Sequence, residues 1–312
     1  MVFDKNVNKI DKYNNEYAII ENKMNKLKNI KTITEHITSI YSLILLKDKK
    51  VASCQEKDNA IRIYDSINDF RCSQVIKRSN YITSICQLED GTIASSSFDN
   101  SITIGNYTIP LAHQDFIYAI ITLPNNRIAS CSSDESINIW KSNPPYSDTP
   151  IKELNGHEYS VFSLLYIRER DIMVSGSVDE TIRFWNMSTY QCESVISCLK
   201  SYAVHSIYQI DCNRVIIGGT KTFSVVNINT MRIEKTIKDE SLEYIFCFAK
   251  LKDNNTILCG CSRGMFCFYD INTKKYTITK KNHNDVIVDL LREDDDTFIS
   301  CSWDKTIKVW YY

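Results

Sequence analysis

Ser302-Trp303-Asp304-Lys305-Thr306-Ile307-Lys308-Val309-Trp310 nearly ends the chain, and Thr297-Phe298-Ile299-Ser300-Cys301 leads into it. The same phrase stands upstream as Arg127-Ile128-Ala129-Ser130-Cys131-Ser132-Ser133-Asp134, followed by Ile137-Asn138-Ile139-Trp140. A third copy reads Met173-Val174-Ser175-Gly176-Ser177-Val178-Asp179, then Ile182-Arg183-Phe184-Trp185. Each copy joins an apolar and small-residue run to a β-branched run through a short polar turn. That grammar predicts two strands of one sheet.

A histidine precedes each copy: His113, His157 and His283. The rest of the chain aligns on this frame with His36, Arg78, Lys200 and Ser241 in the same slot, at intervals of 42, 35, 44, 43, 41 and 42 residues. Seven units of about forty residues is the period of propeller blades. Turn signals such as Glu89-Asp90-Gly91 and Pro124-Asn125-Asn126 divide each unit into short strands, and no helical periodicity follows residue 36. The pattern predicts a closed all-β array.

The phrases at 132–140 and 302–310, with the upstream histidine and the period, resemble the WD40 repeat. The resemblance covers residues 29–312 and implies a seven-bladed WD40 β-propeller with four antiparallel strands per blade. The chain stops after three strands of blade seven, so the stretch Lys28–Glu35 is expected to supply the fourth and close the ring. Blade two lacks the tryptophan (Ile102-Thr103-Ile104-Gly105), blade five lacks a turn aspartate, and blade six has Arg263-Gly264 there.

Composition narrows the function classes. With 312 residues and 43% apolar residues the chain can bury a core without covalent staples. Its net charge of -1 argues against nucleic acid as the main partner, since phosphate binding leaves a basic surplus. The 12 cysteines form no CxxC pair, and Cys259-Gly260-Cys261 lies in an apparent strand, so no metal is expected. Unpaired thiols suit a reducing compartment, and intracellular, cytoplasmic residence is expected. No stretch has the length of a membrane span, and the first residues lack a signal peptide's apolar run.

Three sets of side chains invite a hydrolase reading: His113, Ser130, Asp134 and Trp140; His157, Ser175, Asp179 and Trp185; His283, Ser300, Asp304 and Trp310. A catalytic triad occurs once, in a cleft, beside oxyanion donors. Threefold repetition points to architecture, and the resemblance implies a network tying interblade loops to inner strands. Asp58 and Asp99 are assigned the matching turn in blades one and two. No P-loop, GxGxxG or HExxH occurs, so neither an enzyme nor a cofactor is expected.

The resemblance also implies that partners dock around the channel, on residues three and five after the histidine slot and just before the turn aspartate. These positions hold Tyr41, Tyr81, Phe98, Phe116, Tyr118, Phe162, Tyr244, Phe246 and Trp303, a concentration of aromatics suited to a protein or peptide partner. Ahead of the ring, Ile10, Tyr13, Tyr17, Ile20, Met24 and Leu27 form a seven-residue helical stripe, which sets residues 1–28 apart as a helical segment. It suits either a short coiled coil dimerising the protein or a helix laid on the propeller. The expected role is a scaffold or adaptor. The alternatives are a substrate-recognition subunit of a ubiquitin ligase and an RNA-processing-associated propeller.

Overall fold

A computed structural model describes residues 24–65, 70–198, 203–253, 255–294 and 296–312. Seven four-stranded antiparallel sheets follow one another along the chain. Blade one holds β2 (Ile40–Leu45), β3 (Val51–Gln55), β4 (Ala60–Tyr64) and β5 (Cys72–Lys77). Blade two holds β6 (Ile82–Gln87), β7 (Ile93–Ser97) and two short outer strands, β8 (Ile102–Ile104) and β9 (Tyr107–Ile109). Blades three to six repeat the order, with inner strands β10 (Ile117–Leu123), β14 (Val161–Ile167), β18 (Val204–Asp211) and β22 (Ile245–Lys250). Blade seven combines β26 (Ile287–Arg292), β27 (Thr297–Ser302) and β28 (Ile307–Tyr311) with β1 (Lys28–Ile33).

That last sheet runs β1-β28-β27-β26, so the N-terminal strand closes the ring as its sequence predicts. Lys28 faces Tyr311 and Ile33 faces Ile307 in antiparallel register. Ahead of β1, Met24 and Leu27 pack against the cluster that holds Phe266, Phe298 and Trp310. The rest of the predicted helical stripe, Ile10 to Ile20, and the Lys200 slot lie outside the described residues.

The core lies between neighbouring blades. Second strands are the most buried, along their whole length in β3, β7 and β27, because each is covered on both faces. One slot there decides much of the composition. It holds Cys54, Cys131 and Cys301 in blades one, three and seven, and Gly176, Gly218 and Gly260 in blades four to six. A Cβ on Gly218 would stand 2.8 Å from Ile245 Cγ2 and 2.9 Å from its carbonyl oxygen. The next blade approaches too closely for a large side chain, so the thiols serve as small apolar filling. Outward, Trp140, Phe184, Phe223 and Phe298 fill the interblade layers. Each such side chain contributes about 1.5–3 kcal/mol by leaving water.

Candidate functional site

Each of the three repeated polar sets is joined by hydrogen bonds. In blade four, Trp185 Nε1–H donates to Ser175 Oγ at 2.8 Å. The serine hydroxyl is then free to donate to His157 Nε2 at 2.7 Å, and Nδ1–H donates to Asp179 Oδ2 at 2.7 Å. Blade three repeats this with Trp140 to Ser130 at 2.9 Å, Ser130 to His113 at 2.7 Å and His113 to Asp134 at 3.0 Å. Blade seven repeats it with Trp310, Ser300, His283 and Asp304 at 2.7, 2.6 and 2.9 Å. Each aspartate also accepts the backbone N–H after its histidine, at Gln114, Glu158 and Asn284, which fixes the interblade loop. Burial alone would raise these carboxyls. Hydrogen bonds from the histidine and the neighbouring hydroxyl outweigh it and hold all three well below the usual carboxylate range.

The order Ser-His-Asp is that of a hydrolase, yet Ser130, Ser175 and Ser300 are wholly buried. Each Oγ also accepts a tryptophan N–H, so no substrate carbonyl reaches it. The sets hold the architecture together.

Blade one corrects the sequence reading. Asp58 does not reach His36; it accepts from Gln55 Nε2 at 2.8 Å and pairs with Arg62 and Lys77. The turn after β3 has one residue more than its counterpart in blade three, with Cys54 facing Ile61 where Cys131 faces Ile137. Gln55 Oε1 ties down the loop instead, accepting the N–H of Ile37 at 3.1 Å. His36 bonds Ser53 at 2.9 Å and Tyr64 at 3.2 Å. In blade two, Asp99 occupies its turn but accepts from Ser101, and Arg78 stands in the histidine slot.

The channel mouth is built by a second repeated device. All seven inner strands slip register by one residue near their start. The extra residues are Tyr41, Thr83, Tyr118, Phe162, His205, Phe246 and Val288. A bulge leaves its residue unpaired and re-aims the side chain. All seven, with Phe98 and Trp303 from adjoining turns, line one cavity of ≈ 350 Å³.

The rings touch in sequence around it. Phe116 meets Phe98 at 5.4 Å between centroids, and Phe98 meets Tyr41 at 5.8 Å. Tyr41 meets Trp303 at 6.3 Å, and Trp303 meets Phe246 at 6.1 Å. His205 contacts Phe246 at 5.3 Å, Tyr244 at 5.4 Å and Phe162 at 5.2 Å; Phe162 meets Tyr118 at 4.6 Å. None of the nine predicted aromatics is buried. Six line the cavity, while Phe116 and Tyr244 stand behind it as exposed second rings and Tyr81 is exposed outside it. His205, Thr83 and Val288 complete the mouth. They share the five-after-histidine position but escape a search for large aromatics. Burial lowers the His205 pKa to about 4, so its ring is neutral at pH 7.

Among the described residues, no three potential metal ligands converge, and no helix is long and apolar enough to cross a membrane.

Comparison with known proteins follows the blade pattern. The family model described as WD domain, G-beta repeat matches residues 106–141, 148–186 and 274–311, the segments that carry the three complete polar sets. The nuclear distribution protein nudF of Aspergillus niger is 35% identical over 89 residues, which is 28% of this chain and 20% of that one. The ribosome biogenesis protein YTM1 of Debaryomyces hansenii is 22% identical over 52% of this chain and 38% of its own length. The chain thus spans well under half of these relatives. Among solved structures, the WD40 β-propeller domain of Doa1 matches with a TM-score of 0.77 at 16% identity, over 91% of this chain and 96% of that one. With three matched repeats and seven four-stranded blades closed into a ring, the chain carries WD40 repeats and has the fold of a seven-bladed WD40 β-propeller.

Proposed function

We propose that the chain is a non-catalytic interaction scaffold whose channel mouth seats one side chain of a protein or peptide partner. The observation that supports this is the placement of all seven bulge residues, with Phe98 and Trp303, around one cavity. The sequence spends large aromatics at an accessible face instead of in the core. Aromatics in such places carry much of the energy of protein interfaces. The cavity falls within the range of about 300–1,000 Å³ typical of ligand sites. The relatives are named for different processes, nuclear distribution and ribosome biogenesis, which suits a holding surface that serves many pathways. Twelve free cysteines, most of them buried, suit work inside the cell.

The test is affinity capture from native cell extract, comparing the wild type with a Phe246→Ala/Trp303→Ala variant of unchanged circular dichroism. The expected result is a specific protein retained by the wild type and reduced at least about ten-fold on the variant, about 1.4 kcal/mol of binding. Equal retention of the same proteins by both overturns the reading.

A further inference from the structure

We propose that the side chain seated in the mouth is cationic, the lysine or arginine of a partner segment. This deepens the scaffold reading and rests on it. The argument begins with Asp289, the residue that follows the blade-seven bulge. The equivalent residues in blades one to six are Ser42, Ser84, Ala119, Ser163, Ser206 and Cys247, so the ring below the mouth is small and neutral except at one place.

These residues stitch neighbouring inner strands. Ser84 Oγ accepts the Ile120 N–H at 3.3 Å, and Ser206 Oγ donates to the Ile245 carbonyl at 2.9 Å. Asp289 makes the same stitch across the ring closure, accepting the Leu43 N–H at 2.8 Å. A serine suffices for that elsewhere. The carboxylate charge is therefore surplus to the architecture.

That charge faces a channel whose described lining offers no cation to balance it. Among the described residues, the cavity beneath the mouth, ≈ 390 Å³, is lined by no lysine or arginine, and Asp289 is its one charged residue. His205, on the same cavity wall, is held neutral by burial. Burial pushes the Asp289 carboxyl up to about 6 against three opposing hydrogen bonds, which still leaves it ionised at neutral pH. Above it stand the faces and edges of Tyr41, Phe98, Phe162, Phe246 and Trp303, whose π-systems attract a cation within about 6 Å. An aliphatic stem along aromatic walls, with its charged head toward a buried carboxylate, satisfies both features.

The surrounding loops carry both signs. Glu35, Asp115, Glu135, Glu158, Glu180 and Asp285 stand on them with no ion pair among the described residues. Among the described residues there, Arg263 is engaged by Glu243 and Lys221 by Glu240, while Lys57, Arg78, Lys280, Lys281 and Lys305 make no ion pair.

The test uses the full chain and capped heptapeptides Ala-Ala-Ala-X-Ala-Ala-Ala, with X as arginine, lysine, norleucine or glutamate, followed by calorimetric titration. Arginine or lysine should bind at least ten-fold more tightly than norleucine, which matches lysine in shape but carries no charge. Asp289→Ser, which keeps the stitch as Ser84 does, should erase most of that preference and leave norleucine binding unchanged. Should that variant melt early, Trp303→Leu serves instead, since it keeps apolar bulk and removes the ring that attracts the cation. The proposal is overturned if norleucine binds as well as the cations, if the preference survives both substitutions, or if no cationic peptide binds at millimolar concentration. Extract capture separates the two claims. A partner lost on Phe246→Ala/Trp303→Ala but indifferent to Asp289→Ser and to excess arginine peptide sinks the cation and spares the scaffold. A partner indifferent to all of them sinks both.

Discussion

In blade four, Trp185, Ser175, His157 and Asp179 form an unbroken chain of hydrogen bonds from the third strand to the interblade loop. In blade two the same positions hold Gly105, Ser95, Arg78 and Asp99, and only the bond from Arg78 Nε to Ser95 Oγ, at 3.2 Å, joins any two of them. Both blades nevertheless form four-stranded sheets with their inner strands in the ring. The sheet and its interblade packing therefore stand without the polar set. What the set adds is a fixed loop, since its aspartate holds the N–H after the histidine; blade two, without it, has outer strands of three residues each. The mouth is likewise independent of it, because the bulge occurs in all seven blades.

The largest effect is expected where both supports are at stake. Deleting residues 28–33 strips β1 from β28 and leaves a polar-set blade with an open edge. Thermal melting should lose its single cooperative transition. A melting curve superimposable on the wild type would show that the ring does not need its closing strand.

Trp185→Ala comes next. Trp185 is 2% exposed and packs in the layer between blades three and four, beside Met173 and Leu164. The substitution opens a large cavity and leaves Ser175 without its donor, at a cost of about 3–5 kcal/mol in urea denaturation. Blade two already lives with Gly105 at that position, next to the short turn that replaces the missing layer. A cost for Trp185→Ala below about 1 kcal/mol, the size of ordinary surface changes, would mean that blade four can relax as blade two has.

This contrast also marks what a sequence can carry. The period and the polar sets were legible because they repeat at fixed local spacing, and the closing strand because the last unit was short by one. The mouth was only half legible. Its positions could be counted from the histidine, but the cause is a bulge, and strict strand alternation has no place for an extra residue. For the same reason Asp289 carries no mark in the pattern. It becomes singular only when the residues after seven bulges are set side by side. Asp58 misled because it precedes a left-handed turn residue, Asn59 (φ 49°), as Asp134 precedes Glu135 (φ 70°). The added residue lies before it, out of reach of an alignment anchored on that side.

Asp179→Asn tests the charge within the polar set. Its folded pKa lies below the ordinary 3.8, with burial opposing and the His157 and Thr181 hydrogen bonds prevailing. A depressed carboxyl contributes stability that is present above its unfolded pKa and lost as pH falls through the folded one. The wild type should exceed the variant by about 2 kcal/mol at pH 7, the scale of hydrogen bonds to a charged group. That advantage should shrink below about pH 4. Urea midpoints of the pair from pH 7 to pH 2 measure it. A gap independent of pH would assign the effect to shape instead of charge.

Arg78→Ala is expected to cost least. Arg78 stands in the histidine slot, yet its bonds are long, 3.2 Å to Ser95 Oγ and 3.4 Å to the Ile93 carbonyl, and its side chain is only partly buried. Both partners are neutral oxygens, so no ion pair is broken. Burial lowers its pKa, which means that part of what the bonds supply is spent on desolvating the guanidinium. Removing it should cost about 1 kcal/mol, well below the figure for Trp185. Urea denaturation of the two variants side by side decides the ranking. If Arg78→Ala proves as damaging as Trp185→Ala, arginine has replaced the whole polar set in blade two, and that blade is held by one side chain where blade four uses four.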